Sequence, residues 1–357
     1  MDFSLTEAQH DLGGLTRRIL DGKLDPKSWE PHGSGGFDRA LWTELARAGI
    51  LDAALPSNAG GGGFGLLEQC SVLIELGHAV APVPYLPSIT MAASALAEFG
   101  TGRQLETLVP VLRGERVLTA AVPDAGNPCA FTAEAEGDGW RLTGAQTAVP
   151  AAAYADALLI AATTHDGDAV FVVNRDAAQI SPQEVVDRGD AGLVELNDVH
   201  VGDSARLSGA GVAEWIRLRG TTGLCAYQLG TVERALEMTT EYAKERKQFD
   251  NVIASFQAVR QRLADAYTDV EAVRLTLWQA AWRLSEGLPA DEEVATAKFW
   301  AAEAGHRVAH TAVHLHGGIG IDVDYPLHRY FVAAKRAEFT LGGATAQLRR
   351  LGDLISG

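Results

Sequence analysis

Cysteine is scarce in this 357-residue chain: Cys70, Cys129 and Cys225 are all there is, an odd number set far apart. No C-x-x-C pair and no metal-ligand spacing occurs. Neither a disulfide framework nor a metal site is therefore expected, and a reducing, cytoplasmic compartment is the simple reading. Basic charge is short too, with 30 Lys and Arg against 46 Asp and Glu and a formal net charge of -16. That balance argues against nucleic acid or an anionic membrane as the main partner, although a local cationic cluster can still hold a small anionic ligand. No apolar run is long enough to cross a bilayer. The opening Met1-Asp2-Phe3-Ser4-Leu5 lacks the basic and apolar segments of a signal peptide. What the chain has in quantity is apolar side chains, 47% of residues against 21% charged. A sizeable core follows, in two or three domains or one large composite.

The texture changes twice along the chain. Residues 1–115 read as helical. Leu5, Ala8, Leu12 and Leu15 recur at helical spacing behind a capping box of Thr6 and Gln9. Asp38 to Ala48 is amphipathic, with Leu41, Trp42 and Leu45 on one face. A Pro/Gly/His-rich gap at 31–36 separates these two. The run Gly60 to Gly63 has no strand before it and no Lys-Ser/Thr after it, so it reads as a flexible connector rather than a phosphate cradle. Leu66 to Val80 is a strongly apolar helix. Pro82, Pro84 and Pro87 interrupt the pattern, which resumes from Thr90 to Phe99. From 116 to 207 short strands alternate with turns: Val117–Val122, Phe131–Ala135, Trp140–Leu142, Ala157–Ala162, Ala169–Val173 and Val194–Val201. From 208 to 357 the helical period returns, and Phe256, Val259, Leu263, Tyr267, Val270, Val273 and Leu277 form one stripe. The expected fold is α+β: an N-terminal helical domain, a small middle β-barrel or sandwich, and a C-terminal four-helix bundle.

Two phrases carry chemistry. In His314-Leu315-His316-Gly317-Gly318-Ile319-Gly320 adjacent glycines end a helix and bare the backbone, so a flat or anionic group can approach closely. In Arg246-Lys247-Gln248-Phe249, followed by Phe256-Gln257, a guanidinium fork stands beside an aromatic ring. Together with Leu41-Trp42-Thr43-Glu44-Leu45, Leu55-Pro56, Leu73-Ile74-Glu75-Leu76-Gly77 and Ala81-Pro82-Val83-Pro84, these phrases resemble the acyl-CoA dehydrogenase family along nearly the whole chain. The resemblance implies FAD bound between subunits. Arg246, Phe249, Gln257, His314, Gly317 and Gly318 would contact its ADP half. His314 stands where the family has Gln, and Asp250 where it has Gly.

The resemblance fails where the reaction occurs. The family removes an α-proton from an acyl-CoA with a carboxylate while the β-hydrogen passes to the flavin as hydride. The two positions that carry that carboxylate in different branches fall at Gly342 and at or next to Gly220. The family's TEPxxGSD loop reads Val122-Pro123-Asp124-Ala125-Gly126-Asn127-Pro128, and its W-I-T segment reads Ala148-Val149-Pro150. The half that holds ADP is kept; the halves that hold the ring and remove the proton are not. The chain thus resembles the non-catalytic subunit of an α2β2 acyl-CoA dehydrogenase. Such an assembly works beside a catalytic subunit on CoA thioesters as bulky as steroid side chains, with electron-transfer flavoprotein as electron acceptor. One alternative is a self-sufficient homo-oligomer with a relocated base at Glu338, one turn before Gly342 if the segment is helical, or at Asp322 or Asp324. Another is a flavin-free scaffold.

Overall fold

The computed structural model describes residues 4–24 and 36–356; the first three residues of the opening phrase and all of the 31–36 gap except Gly36 lie outside them. Helix α1 (Glu7–Lys23) opens on the expected capping box. Thr6 Oγ1 accepts the Gln9 N–H at 3.2 Å, and Gln9 Oε1 accepts the Thr6 N–H at 2.8 Å. Helix α2 (Arg39–Arg47) is capped by Asp38 and buries Leu41, Trp42 and Leu45, the face that the spacing marks.

The glycine run before α3 (Leu66–Ala79) is a close-packed turn rather than a flexible connector. A Cβ on Gly61 would stand 2.2 Å from the Leu55 carbonyl oxygen, and one on Gly62 would stand 2.9 Å from that of Ala53. The N–H groups of Gly62 and Gly63 donate to Asp52 and Leu55 at 3.0 and 2.8 Å. Glycine is needed there for backbone to meet backbone. The proline interruption is also shorter than its composition suggests. A π-helix (Leu86–Ala93) carries Pro87 in its first turn and runs straight into α4 (Ser94–Phe99). First-turn N–H groups have no helical acceptor, so proline forfeits no bond there. Two short helices follow, α5 (Gly102–Glu106) and α6 (Leu108–Leu112).

The strand segment gives β1 (Leu118–Ala121), β2 (Phe131–Glu136), β3 (Gly139–Pro150), β4 (Ala157–Thr164), β5 (Gly167–Asn174), β6 (Gln179–Pro182) and β7 (Ala191–Gly202). They form one seven-stranded sheet in the order β1-β4-β2-β3-β7-β6, with β5 also on β4. Pairing is antiparallel except where β1 and β2 run parallel to β4. Side chains from along the sheet, among them Phe131, Trp140, Ile160, Phe171, Val194 and Leu196, meet in a single core, so the sheet curls on itself. The strand β6 escapes a sequence reading because its four residues hold a proline at an edge position.

The C-terminal part is helical: α7 (Val212–Glu245), the hairpin β8 (Lys247–Gln248) and β9 (Asn251–Val252), then α8 (Gln257–Ser285), α9 (Asp291–His316), α10 (Leu327–Phe339) and α11 (Ala344–Ser356). Backbone contacts divide the chain into two units. One contains α1, Cys70–Ala81 and the chain from Thr222 onward; the other contains 36–69 and Pro82–Thr221.

Within the helical unit α3 and α7 touch backbone to backbone. A Cβ on Gly77 would lie 1.9 Å from the Tyr227 carbonyl oxygen, and one on Gly230 would lie 1.9 Å from that of Ile74. Gln228 donates to the carbonyls of Ala301 and Ala334, both at 3.2 Å, tying α7 to α9 and α10. Arg307 forks onto Asp269 at 2.8 and 2.5 Å, tying α9 to α8. The stripe read along α8 is only partly core: Val270, Val273 and Leu277 are buried, whereas Phe256 and Tyr267 remain 36% and 60% exposed. Periodicity marks an apolar face but not what covers it.

Candidate cofactor half-site

Helix α7 ends at Glu245, and Arg246 follows with its N–H still bonded to Tyr242 O at 2.9 Å. Arg246 O in turn accepts the Ile253 N–H at 2.8 Å, which closes the chain around the β8–β9 hairpin. Lys247 pairs with Val252 and Gln248 with Asn251, leaving Phe249 and Asp250 as a two-residue loop. Both have positive φ, +52° and +61°. A hairpin this tight needs left-handed residues at both corners, which accounts for the glycine the resembling family carries at the second; Asp tolerates the conformation, whereas an aromatic such as Phe249 adopts it at a cost. Phe249 is 87% exposed, with its ring edge-on to Phe256 at 6.5 Å. Gln257 is exposed and begins α8. The Arg246 side chain is exposed and has no acidic partner within 4 Å among the described residues.

The second phrase lies at the end of α9. Gly317 takes φ 68° and ψ -142°, a combination open essentially to glycine alone, and stops the helix. Among the described residues nothing beyond the chain neighbours stands within 4 Å of where a Cβ on Gly317 or Gly318 would be, and both glycines are exposed. His316, just before it, stacks on Tyr242 with ring centroids 4.3 Å apart. Tyr242 lies one helical turn, about 5 Å of rise, before Arg246. The fold therefore brings the two phrases to one end of the helical unit. Sequence reasoning missed Tyr242. Its four-residue spacing from Arg246 places it on the same helix face, but nothing in a single sequence ties it to His316.

His314 stands three residues before the glycine turn. It is exposed and lines a groove of about 700 Å³ between α8 and α9, with Arg262, Asp265, His306 and His310. Burial lowers the His310 pKa, and neighbouring His306 and Lys335 lower it further.

The carboxylate question has a geometric answer. A Cβ on Gly220 would press on Met91 at 3.0 Å, and Met91 is itself buried. Gly342 sits at φ +92°, where an L-residue is strained. Glu338 does lie one turn before it on α10, but its carboxylate is held by Lys335 at 2.5 Å and faces His306 at 3.5 Å. Asp322 is exposed and accepts the Asp324 N–H at 3.0 Å, a local turn contact; Asp324 is exposed as well.

These residues fit one half of a FAD and not the other. A guanidinium without an acidic partner, an open aromatic ring and a bare glycine turn suit a diphosphate and an adenine. At the position of the ring contacts, Val149 is fully buried in the sheet core and the Ala148 N–H is already taken by Gln183 Oε1 at 2.7 Å. Neither an indole nor a hydroxyl is offered there.

Family models agree with the resemblance. That of the acyl-CoA dehydrogenase N-terminal domain matches residues 6–115, and that of the C-terminal domain matches 208–354. The chain is 49% identical over 365 residues to acyl-CoA dehydrogenase FadE27 of Mycobacterium tuberculosis, spanning 99% of this chain and 98% of that protein. Among solved structures it matches a chain of the ChsE4-ChsE5 complex from Mycobacterium tuberculosis with a TM-score of 0.94 and 49% identity, covering 100% of this chain and 99% of that one. A variant of the Tcur3481-Tcur3483 steroid ACAD matches with a TM-score of 0.90 and 42% identity over 98% of each chain. The chain belongs to the acyl-CoA dehydrogenase family, whose cofactor is FAD.

Proposed function

We propose that this chain is the non-catalytic subunit of a mixed α2β2 acyl-CoA dehydrogenase. It lends ADP-half contacts to a FAD whose ring site and base belong to a catalytic partner subunit. The observation that carries the reading is the one-sidedness of the site. Arg246, Phe249 and the Gly317-Gly318 turn are exposed, with no acidic partner for Arg246 among the described residues, while both usual base positions are glycine. Relatives named as a two-protein complex and as a steroid ACAD support a mixed assembly and a bulky thioester substrate. The proposed plan keeps three segments, 1–115, 116–207 and 208–357, in a cytoplasmic enzyme served by electron-transfer flavoprotein.

When bound, FAD supplies the hydride acceptor for desaturation of the thioester. This chain's residues bind and orient. Arg246 offers paired N–H donors to the diphosphate, in the geometry a guanidinium shares with phosphate. Phe249 gives a face for adenine. Gln257 and His314 add polar contacts, and Gly317 and Gly318 allow close approach. In this reading no residue of the chain moves the α-proton; Glu338, the first candidate base of the self-sufficient reading, is engaged by Lys335 and His306.

The test is purification of this chain alone and again with a co-expressed dehydrogenase-like partner, reading flavin absorbance and mass for each. A colourless lone chain beside a yellow complex with one flavin per two subunits supports the proposal. One flavin per chain in the lone protein, with oxidation of an acyl-CoA, overturns it.

A further inference from the structure

His316 differs from the other histidines of its helix in being 4% exposed, and its ring packs against two tyrosines. Tyr242 stacks on one face at 4.3 Å and 21°, and Tyr325 packs at 5.5 Å and 56°. Its Nδ1 lies 2.8 Å from Ala312 O. A carbonyl only accepts, so Nδ1 carries the hydrogen and Nε2 keeps its lone pair. Nε2 is buried without a hydrogen-bond partner among the described residues. Burial also lowers the pKa of the ring, which favours the neutral form. The backbone repeats the tie: Tyr242 Oη donates to His316 O at 3.4 Å.

The place of this stack gives it a purpose. Tyr242 is one turn before Arg246, Gly317 follows His316, and Tyr325 comes from the segment beyond the glycine turn. Three pieces of chain, which also share an apolar cluster of Ala235, Ala312 and Leu327 nearby, meet here in one group of rings. An isolated glycine turn is among the least constrained backbones a protein can present. Here it is anchored immediately before its first glycine.

We infer that His316 is a positioning residue: packed against Tyr242 and Tyr325, it sets the Gly317-Gly318 turn against the end of α7, so that Arg246 and the turn reach the same FAD in register. It touches no reacting atom. The inference rests on the ADP half-site reading and deepens it. A fault of about 1 Å between two contacting segments costs a bound group a large part of its fixed geometry, up to about a hundredfold in favourable cases.

The experiment is FAD titration into the deflavinated assembly of this chain with its partner subunit, followed by flavin fluorescence, with thermal melts of every variant. His316→Phe keeps a flat ring and loses the donor; His316→Asn keeps a donor and loses the ring; Tyr242→Leu removes the stack from the other side. Arg246→Ala reports on the half-site itself. The expected result is FAD affinity within about threefold of the parent for His316→Phe, and at least about tenfold weaker for His316→Asn and Tyr242→Leu, with similar melting temperatures among all three. Affinity that follows melting temperature across the set, or unchanged affinity in His316→Asn and Tyr242→Leu, overturns the positioning role. If Arg246→Ala also binds FAD as the parent does, the half-site reading is what has failed.

Discussion

Phe249 combines two properties that a lone chain gains nothing from: a left-handed backbone at φ +52° and 87% exposure of an aromatic side chain. The conformation costs a non-glycine residue about 1 kcal/mol or more, and Asn accepts it readily. Phe249→Asn should therefore raise the unfolding free energy of the isolated chain by up to about 1 kcal/mol and loosen flavin in the mixed assembly. Denaturant melts and flavin loss on gel filtration read the two effects separately. Glu338 gives the opposite case. Its side chain is 14% exposed and its carboxylate serves Lys335 and His306. Glu338→Gln should leave steady-state turnover of the assembly unchanged and cost about 1 kcal/mol of stability from the lost ion pair; a collapse of turnover with intact flavin would restore the relocated-base idea. At this scale, Arg246, Phe249 and Gly317 stand out as candidates in the sequence because each sits in a contiguous phrase. Tyr242, His316 and Met91 act through contacts between distant segments, which composition and spacing do not encode.

Among elements, the α3–α7 crossing is the sharpest constraint. Gly77 and Gly230 face opposite backbones at distances no Cβ tolerates. Gly230→Ala must push the helices apart, and a loss of about 3 kcal/mol or more in urea unfolding is expected. The same pair of helices carries an acid-sensitive contact. Glu237 accepts from His78 at 3.1 Å and from Arg234 at 2.9 Å, and these bonds, His78 first, hold its carboxyl down to about 2 from an ordinary 4.5. The folded pKa is depressed, so the contribution is complete above pH 4.5 and is lost as pH falls from there through about 2. Glu237→Gln should flatten that acid limb of the melting curve. The effect should be small and weaken with salt, because the side chain is half-exposed. Most of these helices were readable from their period. Pro87 misled because its position in the first turn matters more than its identity, and the glycine run misled because flexibility and close packing demand the same residue.

For the whole molecule, part of the α8 stripe, Phe256 and Tyr267, stays exposed, as the half-site does. If FAD bridges two chains, flavin and assembly must stabilise each other. Removing FAD should raise the dissociation constant of the mixed assembly, and FAD at a hundred times its own dissociation constant should restore about 2.7 kcal/mol. Sedimentation of loaded and stripped assembly at equal subunit concentration reads this directly; identical dissociation would place the flavin within one chain.

The sequence by itself determined the order of helices, strands and helices, and the family. Periodicity, turn chemistry and residue identity are local and survive in one dimension. Only the tertiary structure decided which apolar faces stay open, that Glu338 is engaged, and that the Arg246 and Gly317 phrases share one end of a helical unit through the ring stack of Tyr242, His316 and Tyr325. Those facts depend on which segments meet, and meeting is settled by the packing of the whole chain.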